Sequence, residues 1–332
     1  MKGIETFGTM PDGEQVDRVT ISGGGLTGSF LTFGATLQDL RMDGVDHPLV
    51  LGSPELAPYL GPMRYFGAIV GRFANRIGQA RFSIDGQVFE TDPNFRGRHT
   101  LHGGRISAGA RIWRIADLTA DSVRFELDLA DGEMGFPGNM TVSALCALPG
   151  DGVLEFDITT TTDAPTPCSF AHHGYFNLDG AGDILGHRMQ IDAAHHLPVD
   201  DDLIPTGEIA PVDGTAFDFR QPRRIAPGGY DDNLCLASAR RDLTQVARVD
   251  GATSGLSMTI QTTEPGLQVY DGAHLDTGSG LDGRVYGKNA GLALETQGWP
   301  DAPNHPEFPN AILRPGDKYR SQTRYRFFRH LP

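Results

Sequence analysis

Four short stretches of the sequence combine titratable, polar and glycine residues more densely than a purely structural chain needs. They are GRFANRI at residues 71–77, HTLHGG at 99–104, HHGYFNL at 172–178 and LALETQ at 292–297, which continues as GWPDAPN at 298–304. In the last, an apolar strand runs straight into Glu295 and Gln297. A carboxylate there is costly unless it has partners, which makes Glu295 the most suggestive single residue. In the third, strand alternation puts His173, Tyr175 and Asn177 on one face as a polar wall, and Phe176 on the other. His172 then faces away from His173. The glycine pair at 103–104 lets the backbone turn sharply and leaves His102 at a loop edge. No His-x-His or His-x-x-x-His spacing occurs, and neighbours such as His195 and His196 point to opposite faces, so no metal is expected. Gly-x-Ser-x-Gly and a phosphate loop are both absent. With 42 acidic residues, a pair of opposed carboxylates for glycoside hydrolysis stays open.

The elements that must position these groups read as strands. Val123, Phe125, Leu127 and Leu129 alternate, as do Met140 to Cys146, Leu154 to Ile158 and Leu256 to Ile260. Residues 159–162 extend the third run with four threonines, which suit a pleated surface. Asp-Gly occurs ten times, and between apolar runs it marks tight hairpins. FSIDGQVF at residues 82–89 reads as a complete one. No long, capped 3.6-residue pattern appears. The pattern predicts one large antiparallel β-sandwich domain over residues 1–332, all-β, with few short helices and roughly two dozen strands.

Charge narrows the partners. Lys and Arg total 28 against 42 acidic residues, a net charge of −14, which disfavours nucleic acid and a heavily phosphorylated substrate. Cys146, Cys168 and Cys235 form no Cys-x-x-Cys pair and are odd in number, which fits free thiols in a reducing compartment. The first fifteen residues hold no apolar stretch suited to a signal peptide, and no window approaches 18 uninterrupted apolar residues. The expectation is a cytoplasmic protein without a membrane partner.

Taken together and in order, the four motifs resemble those of the aldose 1-epimerases, or galactose mutarotases. Further similar segments lie between and after them: GFPGN at 135–139, LIPTGE at 203–208, GTAFDF at 214–219, GYDDN at 229–233 and LRPGDKY at 313–319. The resemblance implies a large antiparallel β-sandwich and a mutarotase, acting on free aldoses such as D-galactose and D-glucose with no cofactor. It carries the catalytic base onto Glu295 and the acid onto His173. It places substrate-binding roles on Asn75, Arg76, His102, Asp231 and Gln268, beside Tyr175 of the polar wall. The doubled histidine makes His172 a competitor. The stretch 105–111 differs from the usual pattern, and Asp232 stands where histidine is frequent.

Mutarotation needs one base and one acid on opposite sides of the C1–O5 unit. Glu295 near its ordinary pKa would be the carboxylate, and nearby carboxylates would keep His173 protonated. Two rival readings use the same fold. One is a non-catalytic sugar-binding or sensing protein. The other is an epimerase of a phosphorylated or unusual sugar, for which Arg96, Arg98 and Arg105 could form a basic cluster.

Overall fold

The computed structural model describes residues 3–329. The alternating runs become the strands of a nine-stranded antiparallel sheet. Its order is Arg114–Leu118, Ser122–Leu129, Met140–Gly150, Val153–Thr162, Tyr319–Arg329, Leu256–Thr262, Thr244–Asp250, Arg188–Ile191 and Arg223–Arg224. A six-stranded sheet lies across it, in the order Tyr175–Phe176, Leu292–Gln297, Gly266–Tyr270, Asp231–Cys235, His195–His196 and Ala210–Pro211. Residues 4–42 supply a further four-stranded sheet, from Ile4–Thr9 to Thr36–Met42. The helical elements among the described residues are 3₁₀ turns of three or four residues. The all-β, antiparallel expectation therefore holds.

Alternation explains how two sheets share one core. Val123, Phe125, Phe156, Met258 and Ile260 turn inward from the large sheet and join Leu267, Val269, Leu292 and Leu294 of the smaller one in a single buried cluster. The sheets are also pinned by polar contacts. The Tyr325 hydroxyl donates to the Leu294 carbonyl at 3.1 Å, and Thr296 bonds Thr323 across the interface. The hairpin at residues 82–89 forms as read. Asp85 and Gly86 turn it with φ of 53° and 83°, the paired positive values of a tight hairpin turn.

Because successive side chains change face, the strand that buries Leu292, Leu294 and Thr296 turns Ala293, Glu295 and Gln297 the other way. Register extends that face. Asp231, Tyr270, Ala293 and Tyr175 form one row, and Asn233, Gln268 and Glu295 the next. This floor carries the chemistry.

Candidate active site

The motifs meet on that floor. The GRFANRI and LHGG loops clasp one another: the Asn75 amide donates to His102 Nδ1 at 3.0 Å, and the His102 amide donates back to the Asn75 carbonyl at 2.9 Å. Both residues hold left-handed backbones, φ 63° and 52°, a cost that concentrates at functional sites. Gly103 permits the approach, since a Cβ there would lie 2.5 Å from the Gly71 carbonyl. The two arginines of the motif divide their work. Arg72 is a buried strut donating to the carbonyls of Pro137 and Gly138 at 2.8 and 2.9 Å. Arg76 reaches the pocket and pairs with Asp231 at 2.9 Å, while Gln268 donates to the other Asp231 oxygen at 2.6 Å. The GWPD turn holds this strand in place, because Asp301 accepts from the Gly78 amide and donates its own amide to the Arg76 carbonyl, both at 2.9 Å.

A cavity of about 280 Å³ opens over the floor. It is lined by Asn75, Arg76, His102, His173, Tyr175, Asp231 and Glu295, so seven of the eight residues singled out by sequence come together. Gln268 lies beside them, bonded to Asp231 and paired in register with Glu295. His173 Nε2 stands 3.5 Å from Glu295 Oε1, and both side chains are buried. The acid and base are therefore neighbours on one side of the pocket, not opposed across it. O1 and O5 are both bonded to C1, so adjacent groups suit the task.

Burial inverts the expected protonation. Burial, reinforced by Asp231 and opposed by Arg76, pushes the Glu295 carboxyl up to about 8. Burial pushes His173 down to about 4, with the nearby Asp231 too weak to hold it charged. Between these values the pair carries one proton, held on Glu295. His102 is held neutral, its pKa far below the usual range through burial and the neighbouring His173. Because its Nδ1 accepts an amide, the ring proton sits on Nε2. Ligand atoms of His102, His173 and Glu295 lie within 4.8 Å of one another, but a protonated Nε2 cannot ligate a metal. It can donate to a sugar oxygen.

The HHGYFNL stretch corrects one expectation. The strand breaks at Gly174, between Ala171–His172 and Tyr175–Phe176. His172 does face away from His173, stacked on Phe156 at 4.0 Å inside the core. Asn177, however, leaves the polar wall. Its amide donates to the Ala290 carbonyl, and its oxygen takes the amides of Asp179 and Gly180. Asp232 points to the opposite face from Asp231, and burial raises its carboxyl to about 6. The variant stretch at 105–111 forms a 3₁₀ turn at Ala108–Ala110, whose Ala108 carbonyl accepts from the buried Trp113 indole. Each arginine of the basic cluster already has an acidic partner: Arg96 and Arg98 share Asp202, and Arg105 pairs with Asp92. Only Arg96 of the three lines the cavity.

Sequence reasoning missed Tyr65, Phe95, Tyr270 and His274, which also line the cavity. Tyr65 stacks on His173 and meets His102 edge-on, with ring centroids 5.9 and 4.8 Å away. Phe95 lies under the Arg76 guanidinium at 4.8 Å. Tyr270, two residues beyond Gln268 on one strand, was available from alternation; the others arrive on loops. A larger groove of about 540 Å³ on the nine-stranded sheet has its charged groups occupied, with Arg111 on Glu133 and Asp163 on Asn139.

Comparison with known proteins decides the relationship. The aldose 1-epimerase family model matches residues 17–326. The chain belongs to the aldose 1-epimerase family. Galactose mutarotase of Rattus norvegicus is 39% identical over 335 residues, covering 97% of each chain. Aldose 1-epimerase of Escherichia coli K12 is 35% identical over 341 residues, covering 97% of this chain and 98% of its own. A solved structure of a GalM/aldose epimerase homologue from C. elegans superposes with a TM-score of 0.88 at 31% identity, covering 94% of this chain and 98% of its own. As an aldose 1-epimerase the chain is an isomerase, and its β architecture is that of its solved relatives. Among the described residues no helix is long and apolar enough to cross a membrane, and the three cysteines are free thiols.

Proposed function

We propose that the chain, working as one unit over residues 1–332, interconverts the α and β anomers of a free neutral aldose, D-galactose and D-glucose foremost. Glu295 and His173 are the acid–base pair. The observation that carries this reading is the buried Glu295–His173 contact at 3.5 Å on the pocket floor.

Opening the ring breaks the C1–O5 bond. Glu295 as carboxylate takes the O1 proton, the O1 electrons form the C1=O1 double bond, and the C1–O5 electron pair goes to O5. His173 as imidazolium supplies the O5 proton. The pair is then neutral on both sides, Glu295 protonated and His173 not. Rotation about C1–C2 presents the other face of the aldehyde. The neutral pair closes the ring, with Glu295 returning a proton to O1 and His173 removing one from O5. One proton serves the whole cycle, and burial favours the state that performs closure. Each positioned group contributes about 10²–10⁴.

Arg76, Asn75, His102 and Asp231 supply donors and acceptors for the ring hydroxyls, Gln268 orients Asp231, and Tyr175 walls the pocket beside His173. A binding protein has no use for two buried, proton-shifted groups in contact. A sugar phosphate finds Arg96 and Arg98 sharing Asp202, and Arg105 held by Asp92. The test is polarimetry on fresh, anomerically pure sugars. Galactose and glucose are expected to equilibrate faster with enzyme than glucose 6-phosphate; preference for the phosphate overturns the reading.

A further inference from the structure

A histidine that moves protons is usually oriented by a hydrogen bond on the ring nitrogen turned away from the reaction. His173 lacks one. Its Nε2 stands 3.5 Å from Glu295 Oε1, but its buried Nδ1 has no hydrogen-bond partner among the described residues. The backbone group that acts on the imidazole is the carbonyl of His173 itself, which already accepts the Gly67 amide at 2.9 Å. The torsion between Cβ and a flat ring is intrinsically broad. The plane of this imidazole is therefore set by what packs on it.

Three rings do so. Tyr65 lies the most nearly parallel, with planes 23° apart and centroids 5.9 Å apart. Tyr175 is tilted by 40° at 5.2 Å, and His102 is edge-on, 79° at 5.2 Å. Tyr65 also meets His102 at 4.8 Å and 63°. Tyr65, His102 and His173 thus form a triangle in which each ring touches the other two. The His102 corner is fixed by the Asn75 amide on its Nδ1. The Tyr65 corner is fixed by its own turn, which is sewn to the His173 backbone. The His173 amide donates to the Ala68 carbonyl, and the Gly67 amide donates to the His173 carbonyl, both at 2.9 Å. Arg64 lies 5.5 Å from the Tyr65 centroid and is itself bonded to the Arg105 carbonyl. Rotating the imidazole would drive its edge into the face of a phenol ring that cannot retreat.

We propose that Tyr65 is the positioning residue of the acid: its ring, braced against His173 and His102 together, fixes the plane of the His173 imidazole and keeps Nε2 aimed at O5, the task a hydrogen bond on Nδ1 would otherwise do. The inference rests on the reading of His173 as the acid. The same ring helps to keep water from His173. The titratable and charged groups that face the imidazole are Glu295, Asp231, Arg76, His102, Tyr175 and Tyr65, with Arg64 beyond the phenol. Removing Tyr65 leaves the two carboxyls and Arg76 in place and changes the solvation and the freedom of the ring.

Three variants test it by polarimetry, with circular dichroism to confirm folding. Tyr65→Phe keeps the ring and is expected to hold kcat within about twofold of wild type. Tyr65→Ala is expected to lower kcat by about 10- to 100-fold with KM moving less, because misaiming a reacting group acts on the chemical step. Water then reaches the imidazole, and the acidic limb of the pH–rate profile moves up from about 4 toward the ordinary 6.5. Tyr65→Leu refills the volume without a flat face and is expected to lower kcat likewise, with the limb moved less. A Phe variant as slow as the Ala variant assigns the effect to the hydroxyl and overturns the proposal. So does a folded Ala variant with wild-type kcat and limb, or with KM alone raised. If the Ala variant misfolds, kcat of the Leu variant decides. If both misfold, a high-resolution crystal structure of the wild type decides: one His173 ring orientation with Nδ1 unbonded is expected, and a protein group or fixed water bonded to Nδ1 overturns the proposal. NMR titration of His173 in wild type and variant needs no substrate. If the wild type turns over no sugar, the proposed function fails, while the upward shift of the imidazole in the Ala variant still tests the ring.

Discussion

Glu295 and His173 titrate as one unit, so the pH dependence of the reaction belongs to the pair. Burial raises the carboxyl to about 8 and lowers the imidazole to about 4. Below about 4 both groups are protonated and no base remains; above about 8 both are deprotonated and no acid remains. A bell-shaped kcat/KM profile with limbs near these values is expected, measured by polarimetry across pH. A rate independent of pH through this range contradicts the account. The residue types and their faces were legible in the sequence: an apolar strand ending in Glu295, and His173 opposite in orientation to His172. The protonation was not. It depends on how much water the folded pocket excludes, and the acidic surroundings suggested a charged histidine where burial favours the neutral ring. His102 shows the same limit, since its role as an Nε2–H donor follows from the Asn75 amide and from nothing in the local sequence.

At the scale of elements, loops meeting over a sheet build the site, and their close approaches are specific. Gly103 has φ +82° and backbone of residues 71 and 72 within 2.7 Å of a Cβ position, whereas Gly132 has φ +75° and open space. Gly103→Ala is expected to lower stability by clearly more than Gly132→Ala, whose left-handed strain alone costs about 1–3 kcal/mol. Thermal melts of the two variants compare them, and equal losses contradict the clasp. The strands were readable because alternation survives in the sequence, down to the hairpin at residues 82–89. Two things were not. HHGYFNL reads as one alternating strand, but the break at Gly174 shifts the phase and sends Asn177 to a loop carbonyl. Tyr65 and Phe95 sit in loops without periodicity, so only the fold brings them to His173 and Arg76.

Across the whole molecule, the site is bought with stability. Glu295 has a folded pKa above its ordinary value, so stability is lost as pH rises from about 4.5 through about 8. His173 is shifted down, so stability is lost as pH falls from about 6.5 through about 4. Glu295→Gln removes the first loss. The variant is expected to melt several degrees above wild type at pH above about 8, with a smaller gap near pH 5. Identical melting curves at both pH values contradict the burial argument. The reaction also needs no Lewis acid, and the His102 tautomer disfavours a metal. Activity is therefore expected to survive strong chelation and dialysis; loss restored by one divalent ion contradicts this.

Polarimetric kcat on fresh α-D-galactose for Glu295→Gln, His173→Asn and His172→Asn tests the assignment most directly, with circular dichroism to confirm folding. Glu295→Gln keeps the shape but cannot take the O1 proton at neutral pH, and His173→Asn has no proton to give. Each is expected to lose about 10²–10⁴ in kcat while KM moves less, with the double variant losing less than the product. His172→Asn removes a ring stacked on Phe156 and is expected to melt lower yet keep most of its kcat. A folded His172 variant that is inactive beside an active His173 variant contradicts the account.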